Sequence, residues 1–179
     1  PLKVSHELNL GIEINTEMPA KVGQDRLINA SAAYHEYRTA LIIIDCGTAT
    51  TLDVVTSEGV FLGGVICPGL LISAEVLFSR AAQLFQVTLE MPENIIGRNT
   101  TDSMKSGLIN GYGGMIESLI NKLTKEIKLQ GQCSPQIVIT GGLAKKVFPI
   151  LSNVTYHDDL TLRGLNLFYE LNKHQHYRQ

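Results

Sequence analysis

An α/β domain, with a mixed sheet flanked by helices, is predicted for this chain by three observations. Strand-like segments between residues 41 and 67 are separated by tight turns and read as an antiparallel meander. Helical spacing of apolar residues dominates from residue 70 onward. A short apolar strand, Gln136 to Thr140, interrupts those helices near the end and closes on Gly141-Gly142.

The elements follow in order. Leu2 to Asn15 is mixed, with no clear cap or turn at its start. Gln24 to Tyr37 is helical: Leu27, Ile28, Ala30, Ala33, Tyr34 and Tyr37 lie near one face, and Asp25 takes the N-cap position. Leu41 to Ile44 is a continuous aliphatic run fit for a strand covered on both faces. Extended character resumes at Leu52 to Thr56, and the turn Ser57-Glu58-Gly59 leads into Val60 to Cys67, which Gly63-Gly64 interrupts. Pro68-Gly69 breaks the pattern before a helix from Leu70 to Phe85.

Beyond a loop with Pro92 and Gly97, a long helix runs from Thr101 to Leu129, with Met104, Leu108, Met115, Ile116, Leu119, Ile120 and Leu123 at helical spacing. Gly107, Gly111, Gly113 and Gly114 lie inside it. Each costs about 1 kcal/mol in a helix interior, so close packing against another helix or backbone, such as a subunit interface, is expected to compensate. After the 136–140 strand come a helix from Leu143 to Leu151, an amphipathic helix from Leu160 to Lys173, and a polar tail from His174 to Gln179.

Composition narrows the function classes. With 44% hydrophobic and 18% charged residues, the 179-residue chain has material for a substantial core. Its net charge of −2 and scattered Lys and Arg remove the electrostatic basis for nucleic-acid binding. Cys46, Cys67 and Cys133 lack metal-ligand spacing and suit a reducing cytoplasm. No stretch nears the roughly 20 apolar residues of a membrane span.

The segment Asp45-Cys46-Gly47-Thr48-Ala49-Thr50-Thr51 carries the most chemistry. Gly47 and Ala49 let a ligand approach the backbone, while N–H groups and the hydroxyls of Thr48, Thr50 and Thr51 are possible donors to phosphate oxygens. Asp45, at the mouth of the strand, has the chemistry to bind a cation. A Thr-rich β-turn with Asp45 as a local acceptor satisfies the same residues. Gly141-Gly142 similarly suits either a flat ligand or a plain turn. The order of elements matches a ribonuclease-H-like domain, in which phosphates lie on the first hairpin turn and the nucleoside near a later Gly-rich turn.

Five segments in order make the pattern specific: Val22-Gly23-Gln24-Asp25-Arg26, Asp45 to Thr51, Gly63-Gly64-Val65-Ile66-Cys67-Pro68-Gly69, Gly97-Arg98-Asn99-Thr100 and Thr140-Gly141-Gly142. Over about residues 15 to 170 the chain resembles type III pantothenate kinase, of the acetate and sugar kinase, Hsp70 and actin superfamily. The resemblance implies an actin-like ATPase fold and ATP-dependent phosphorylation of pantothenate, the first step of coenzyme A synthesis. It also implies a cytoplasmic homodimer that uses Mg²⁺ and a monovalent cation, K⁺ or NH₄⁺.

By resemblance Asp25 is the general base, and Gly23, Gln24, Asp25 and Arg26 line the pantothenate site, which Thr100 completes across a dimer interface. Gly47, Thr48, Gly141 and Gly142 match ATP-contacting positions, and Asp45 matches the monovalent-cation ligand. Read without the family, Asp25 and Thr100 are helix caps and Arg26 a surface charge.

Two departures stand out. Thr16 occupies the place of a substrate-site tyrosine. The family's opening Asp-x-Gly-Asn-Thr hairpin, with its downstream lysine, has no counterpart in these residues. The expected organisation is therefore a remnant of, and connection from, an N-terminal actin-like half over 1–38, including the substrate-site helix, then a C-terminal actin-like domain over 39–173 and the tail over 174–179. Activity of such a chain alone is expected to be feeble. The competing function is a non-catalytic homologue acting as a binding or transcription-linked accessory factor.

Overall fold

The computed structural model describes residues 3–81 and 83–174. Most of the expected 174–179 tail lies outside them. One six-stranded sheet forms the centre, with β1 (Glu13–Ile14), β2 (Leu41–Cys46), β3 (Ala49–Val55), β4 (Val60–Pro68), β5 (Gln136–Thr140) and β6 (Thr155–Tyr156). The strand order is β1-β4-β3-β2-β5-β6. β2, β3 and β4 pair antiparallel as the expected meander. β5 runs parallel to β2, β6 parallel to β5, and β1 parallel to β4, so the sheet is mixed.

Helices cover both faces. Helices α1 (Gln24–Tyr37) and α5 (Leu160–Asn172) share one side, where Leu27, Ile28, Leu160 and Phe168 pack on Leu41, Ile43, Val55 and Val138. The two helices meet backbone to side: a Cβ on Gly164 would collide with the Ile28 carbonyl. The other side holds α2 (Leu70–Arg80), α3 (Thr100–Leu129) and α4 (Ala144–Val147), with Leu70, Ile109, Tyr112 and Ile116 against Ile42, Ile44, Leu52 and Ile139. Leu41 to Ile44 are at most 1% exposed, as a strand buried on both faces requires.

Several local expectations need correction. α2 stops at Arg80 rather than Phe85, because the chain turns extended at Ala81 and then alternates to bury Val87 and Leu89. The helix expected over 143–151 is only one turn of α4 followed by a 3-10 turn, Phe148–Ile150, since Pro149 has no N–H for a continuing helix. β1 and β6 are two-residue strands, too short to show alternation. Asp25 is not the N-cap of α1: Gly23 is, and Asp25 lies in the first turn without a capping bond. Thr100 likewise begins α3, while the Asn99 side chain accepts the capping bond from the Asp102 N–H (2.9 Å).

Candidate functional site

Asp45, Gly47, Thr48, Gly141 and Gly142 gather where β2 and β5, parallel neighbours, reach their carboxyl ends. This is the edge at which open α/β sheets place ligands. Asp45 of β2 sits directly beside Thr140 of β5 and Thr51 of β3. Just beyond, Leu143 N–H donates to the Cys46 carbonyl (3.1 Å) and ties the two loops together. Gly141 has φ +99, and a Cβ there would lie 2.5 Å from Asp45 Oδ1 and 2.6 Å from the Cys46 nitrogen. Glycine is therefore required on two counts, conformation and space. A Cβ on Gly142 would meet nothing within 4 Å, so the chain presents bare backbone to open space there.

The first hairpin turn is tighter than a simple phosphate cradle. Gly47 N–H donates to the Ala49 carbonyl (3.1 Å), so it is not free for a ligand, and Gly69 N–H donates to the Thr48 carbonyl (3.2 Å). The three threonines also separate. Thr48 is exposed at the tip. Thr50 is buried and shares a hydrogen bond with the Tyr112 hydroxyl on the α3 side. Thr51 points to the other face, where its Oγ1 is buried without a partner. Of the three expected phosphate donors, only Thr48 is placed to serve.

On the α1 side of the sheet, two ties fix the start of that helix. Asn29 Nδ2 donates to Asp45 Oδ2 (2.9 Å), and Thr161 Oγ1 of α5 donates to Asn29 Oδ1 (2.7 Å). One turn earlier, Arg26 Nε donates to both oxygens of Asp53 on β3 (2.9 and 3.2 Å), and its Nη2 donates to Oδ1 as well. Asp53 is 2% exposed and the Arg26 side chain 15%, so this is a buried, two-armed ion pair. The guanidinium also lies over the Phe61 ring, 5.8 Å from its centroid. Gly64 makes room for it, since a Cβ there would lie 2.8 Å from Asp53 Oδ1.

Ahead of both ties, Asp25 is exposed and makes no hydrogen bond among the described residues. Its carboxylate leans over Gly23, 2.6 Å from where a Cβ would be. Gln24 beside it is exposed too. Burial raises the Asp45 carboxyl above its ordinary pKa; Asn29 opposes the rise and the nearby charge of Asp25 adds to it. Burial raises Asp53 as well, with Arg26 working against it and Asp25 again adding to the rise. The three carboxylates thus share one field.

A folded-state pKa above the unfolded value contributes stability below the unfolded pKa, about 3.9 for Asp, and that contribution is lost as pH rises through the folded value. Asp45→Asn should therefore melt at a higher temperature than the unsubstituted chain at pH 7, with the gain vanishing in acid. Thermal melts at pH 7 and pH 3.5 check this; an unchanged or lower melting temperature at pH 7 overturns it.

Thr100 lies elsewhere, on a cavity of about 620 Å³ with Arg98, Asn99, Ser103, Leu77 and Leu84 in its lining. None of residues 23–26 lines it, and α3, which Thr100 begins, covers the opposite face of the sheet from α1.

Comparison with known proteins bears directly on this arrangement. The family model described as type III pantothenate kinase matches residues 1–122. The chain belongs to the type III pantothenate kinase family. Proteins named type III pantothenate kinase from Geobacter sulfurreducens and Pelobacter propionicus are each 41% identical to it over 174 residues, and one from Roseiflexus sp. is 42% identical. Each alignment covers 97% of this chain and 67% of the relative, so the chain spans about two thirds of their length. A solved structure from Campylobacter jejuni, described as a Baf family transcriptional activator, superposes with a TM-score of 0.62 at 20% identity, covering 92% of this chain and 71% of its own; it supports the fold alone.

Within this type III pantothenate kinase scaffold, sequence reasoning passed over Asp53, Asn29 and Thr161. Asn29 carries a signal in the sequence, an amide set between Ile28 and Ala30 on the apolar stretch of α1, and in the fold it is buried. Asp53 had a weaker one, an acid at a strand position sharing a face with buried Val55. Among the described residues no three His, Cys, Asp or Glu side chains gather to hold a metal ion, and no helix is long and apolar enough to cross a membrane.

Proposed function

We propose that this chain phosphorylates the primary hydroxyl of pantothenate to give 4′-phosphopantothenate at the expense of ATP, the opening reaction of coenzyme A synthesis in the cytoplasm. The observation that carries the reading is the placement of Asp25. It is an exposed, unbonded carboxylate in the first turn of α1, just ahead of two residues that anchor that helix to the sheet, Arg26 to Asp53 and Asn29 to Asp45, in a chain of the type III pantothenate kinase family.

Asp25 accepts the proton of the attacking hydroxyl, Arg26 receives the substrate carboxylate, and Gly23 and Gln24 form the wall between them. Thr48, at the exposed tip of the first turn, and the bare backbone of Gly141-Gly142 hold the nucleotide by its phosphates and its nucleoside end. ATP, entering with Mg²⁺, supplies the phosphoryl group. Asp45 suits a monovalent cation: its carboxylate is desolvated and under-compensated, and the Thr51 hydroxyl lies on the paired residue of β3. Hard cations take such oxygen donors. The test is a coupled phosphorylation assay on pantothenate, with and without K⁺. Turnover that requires pantothenate supports the reading. Pantothenate binding with no ATP turnover in the full-length gene product favours the accessory-factor alternative.

A homodimer belongs to the same proposal. Of the four glycines inside α3, only Gly113 is crowded within the chain, against Ile150. Among the described residues a Cβ on Gly107, Gly111 or Gly114 would meet nothing within 4 Å, which suits packing against a second copy of the chain. Gly107 also lines the Thr100 cavity, which places that cavity beside the exposed stripe and lets Thr100 serve the partner's Asp25. Gly111→Leu should leave the chain folded and convert dimer to monomer, with dimer dissociation raised at least tenfold, a change of about 1.4 kcal/mol. Sedimentation equilibrium reads this directly, and a Gly111→Leu protein that remains dimeric removes the interface from α3.

A further inference from the structure

We infer that Asp53 is the positioning residue of the pantothenate subsite: it grips the Nε/Nη2 edge of Arg26 and leaves the Nη1 end as the reader of the substrate's carboxylate. The inference rests on the function proposed above.

Arg26 has five N–H donors in a rigid plane, and Asp53 takes the pair of nitrogens on one edge. Nη1 makes no hydrogen bond among the described residues. The plane has little freedom left, because the Phe61 ring lies under it and Asp53 is fixed in mid-strand, opposite Ile43 on one side and Gly64 on the other. A long, rotamer-rich side chain thereby becomes a preset donor, which lowers the ordering cost of binding.

Stability does not explain the pair. Two charges taken out of water recover little net energy, and well-packed apolar residues of similar size usually do as well. The Arg26–Asp53 pair is formally neutral, so recognition of an anion here comes from directed N–H groups rather than net charge. Arg26 alone would attract any anion, ATP included. Held by Asp53, it favours a planar acceptor at one position.

The deciding experiment compares binding of pantothenate with that of its alcohol analogue, in which CH₂OH replaces the carboxylate, by titration calorimetry on the full-length gene product. The unsubstituted protein is expected to favour pantothenate by about tenfold or more, as one charge-assisted hydrogen bond provides. In Asp53→Asn the preference should fall by about threefold or more, because the released guanidinium loses its preset orientation and turns to other acceptors, while affinity for the alcohol is kept. Equal losses for both ligands make Asp53 merely structural and overturn the inference, as does a preference left intact. An unsubstituted protein that binds both ligands equally overturns it as well, while one that binds neither takes down the pantothenate reading on which it stands. Should Asp53→Asn fail to fold, Arg26→Lys decides: a single ammonium must serve both carboxylates, so the preference should fall, and a full preference in that variant overturns the role of the fork.

Discussion

Asp25→Asn in the full-length gene product should lower kcat for pantothenate phosphorylation by roughly 10²–10⁴-fold, the range that a positioned proton acceptor contributes. The KM for pantothenate should change little. The substitution is nearly isosteric, and the side chain is exposed and makes no hydrogen bond that holds the fold. The anchors that follow it in the helix, Arg26 to Asp53 and Asn29 to Asp45, do not involve it, so the substrate pocket should survive. Thermal stability should be equal to or slightly above that of the unsubstituted protein, because the Asp25 charge works against both Asp45 and Asp53.

A purely capping role makes the opposite forecast. Loss of a cap costs about 1 kcal/mol and leaves turnover intact once the protein is folded. The observed cap is Gly23, so Asp25→Asn removes no capping bond and a cap-sized loss of stability is not expected from it. A kcat within threefold of the unsubstituted enzyme would assign the proton elsewhere and remove Asp25 from the chemistry.

Much of this site is legible in the sequence, and the parts that are not share a cause. The hairpin from Leu41 to Val55 is legible because strand periodicity and turn residues are local properties, and Gly141 because a strand that ends in two glycines announces a close approach. The three threonines were grouped as phosphate donors although the period of two separates them. Thr50 shares a face with Leu52 and Val54 and turns to Tyr112, while Thr51 shares one with Asp53 and Val55. Strand parity could have made that distinction.

Asp53 is different. Its partner is 27 positions away, on a helix whose rotation about its own axis is set by contacts with α5, including the close passage of Gly164 over Ile28. No local pattern encodes that docking. The four glycines of α3 look alike in the sequence, yet among the described residues only Gly113 is crowded by the chain's own packing.

The ion pair supplies the largest expected effect on stability. Asp53→Ala should destabilise the fold by about 3–5 kcal/mol, because it leaves the Arg26 guanidinium buried without its counter-charge. With roughly 2–4 °C per kcal/mol in a domain of this size, the melting temperature should fall by about 10 °C. The contribution belongs to the pair and not to either residue, so the double variant Arg26→Met/Asp53→Val should regain most of the loss. Met fills the space of the Arg stem against Phe61, Val suits a strand interior, and no charge is left stranded. Chemical denaturation of both single variants and the double variant closes the cycle. Additive losses would mean that the pair does not act as a unit. If the double variant folds as well as the unsubstituted chain yet has lost its preference for pantothenate over the alcohol, then the buried charges serve recognition, and the fold could dispense with them.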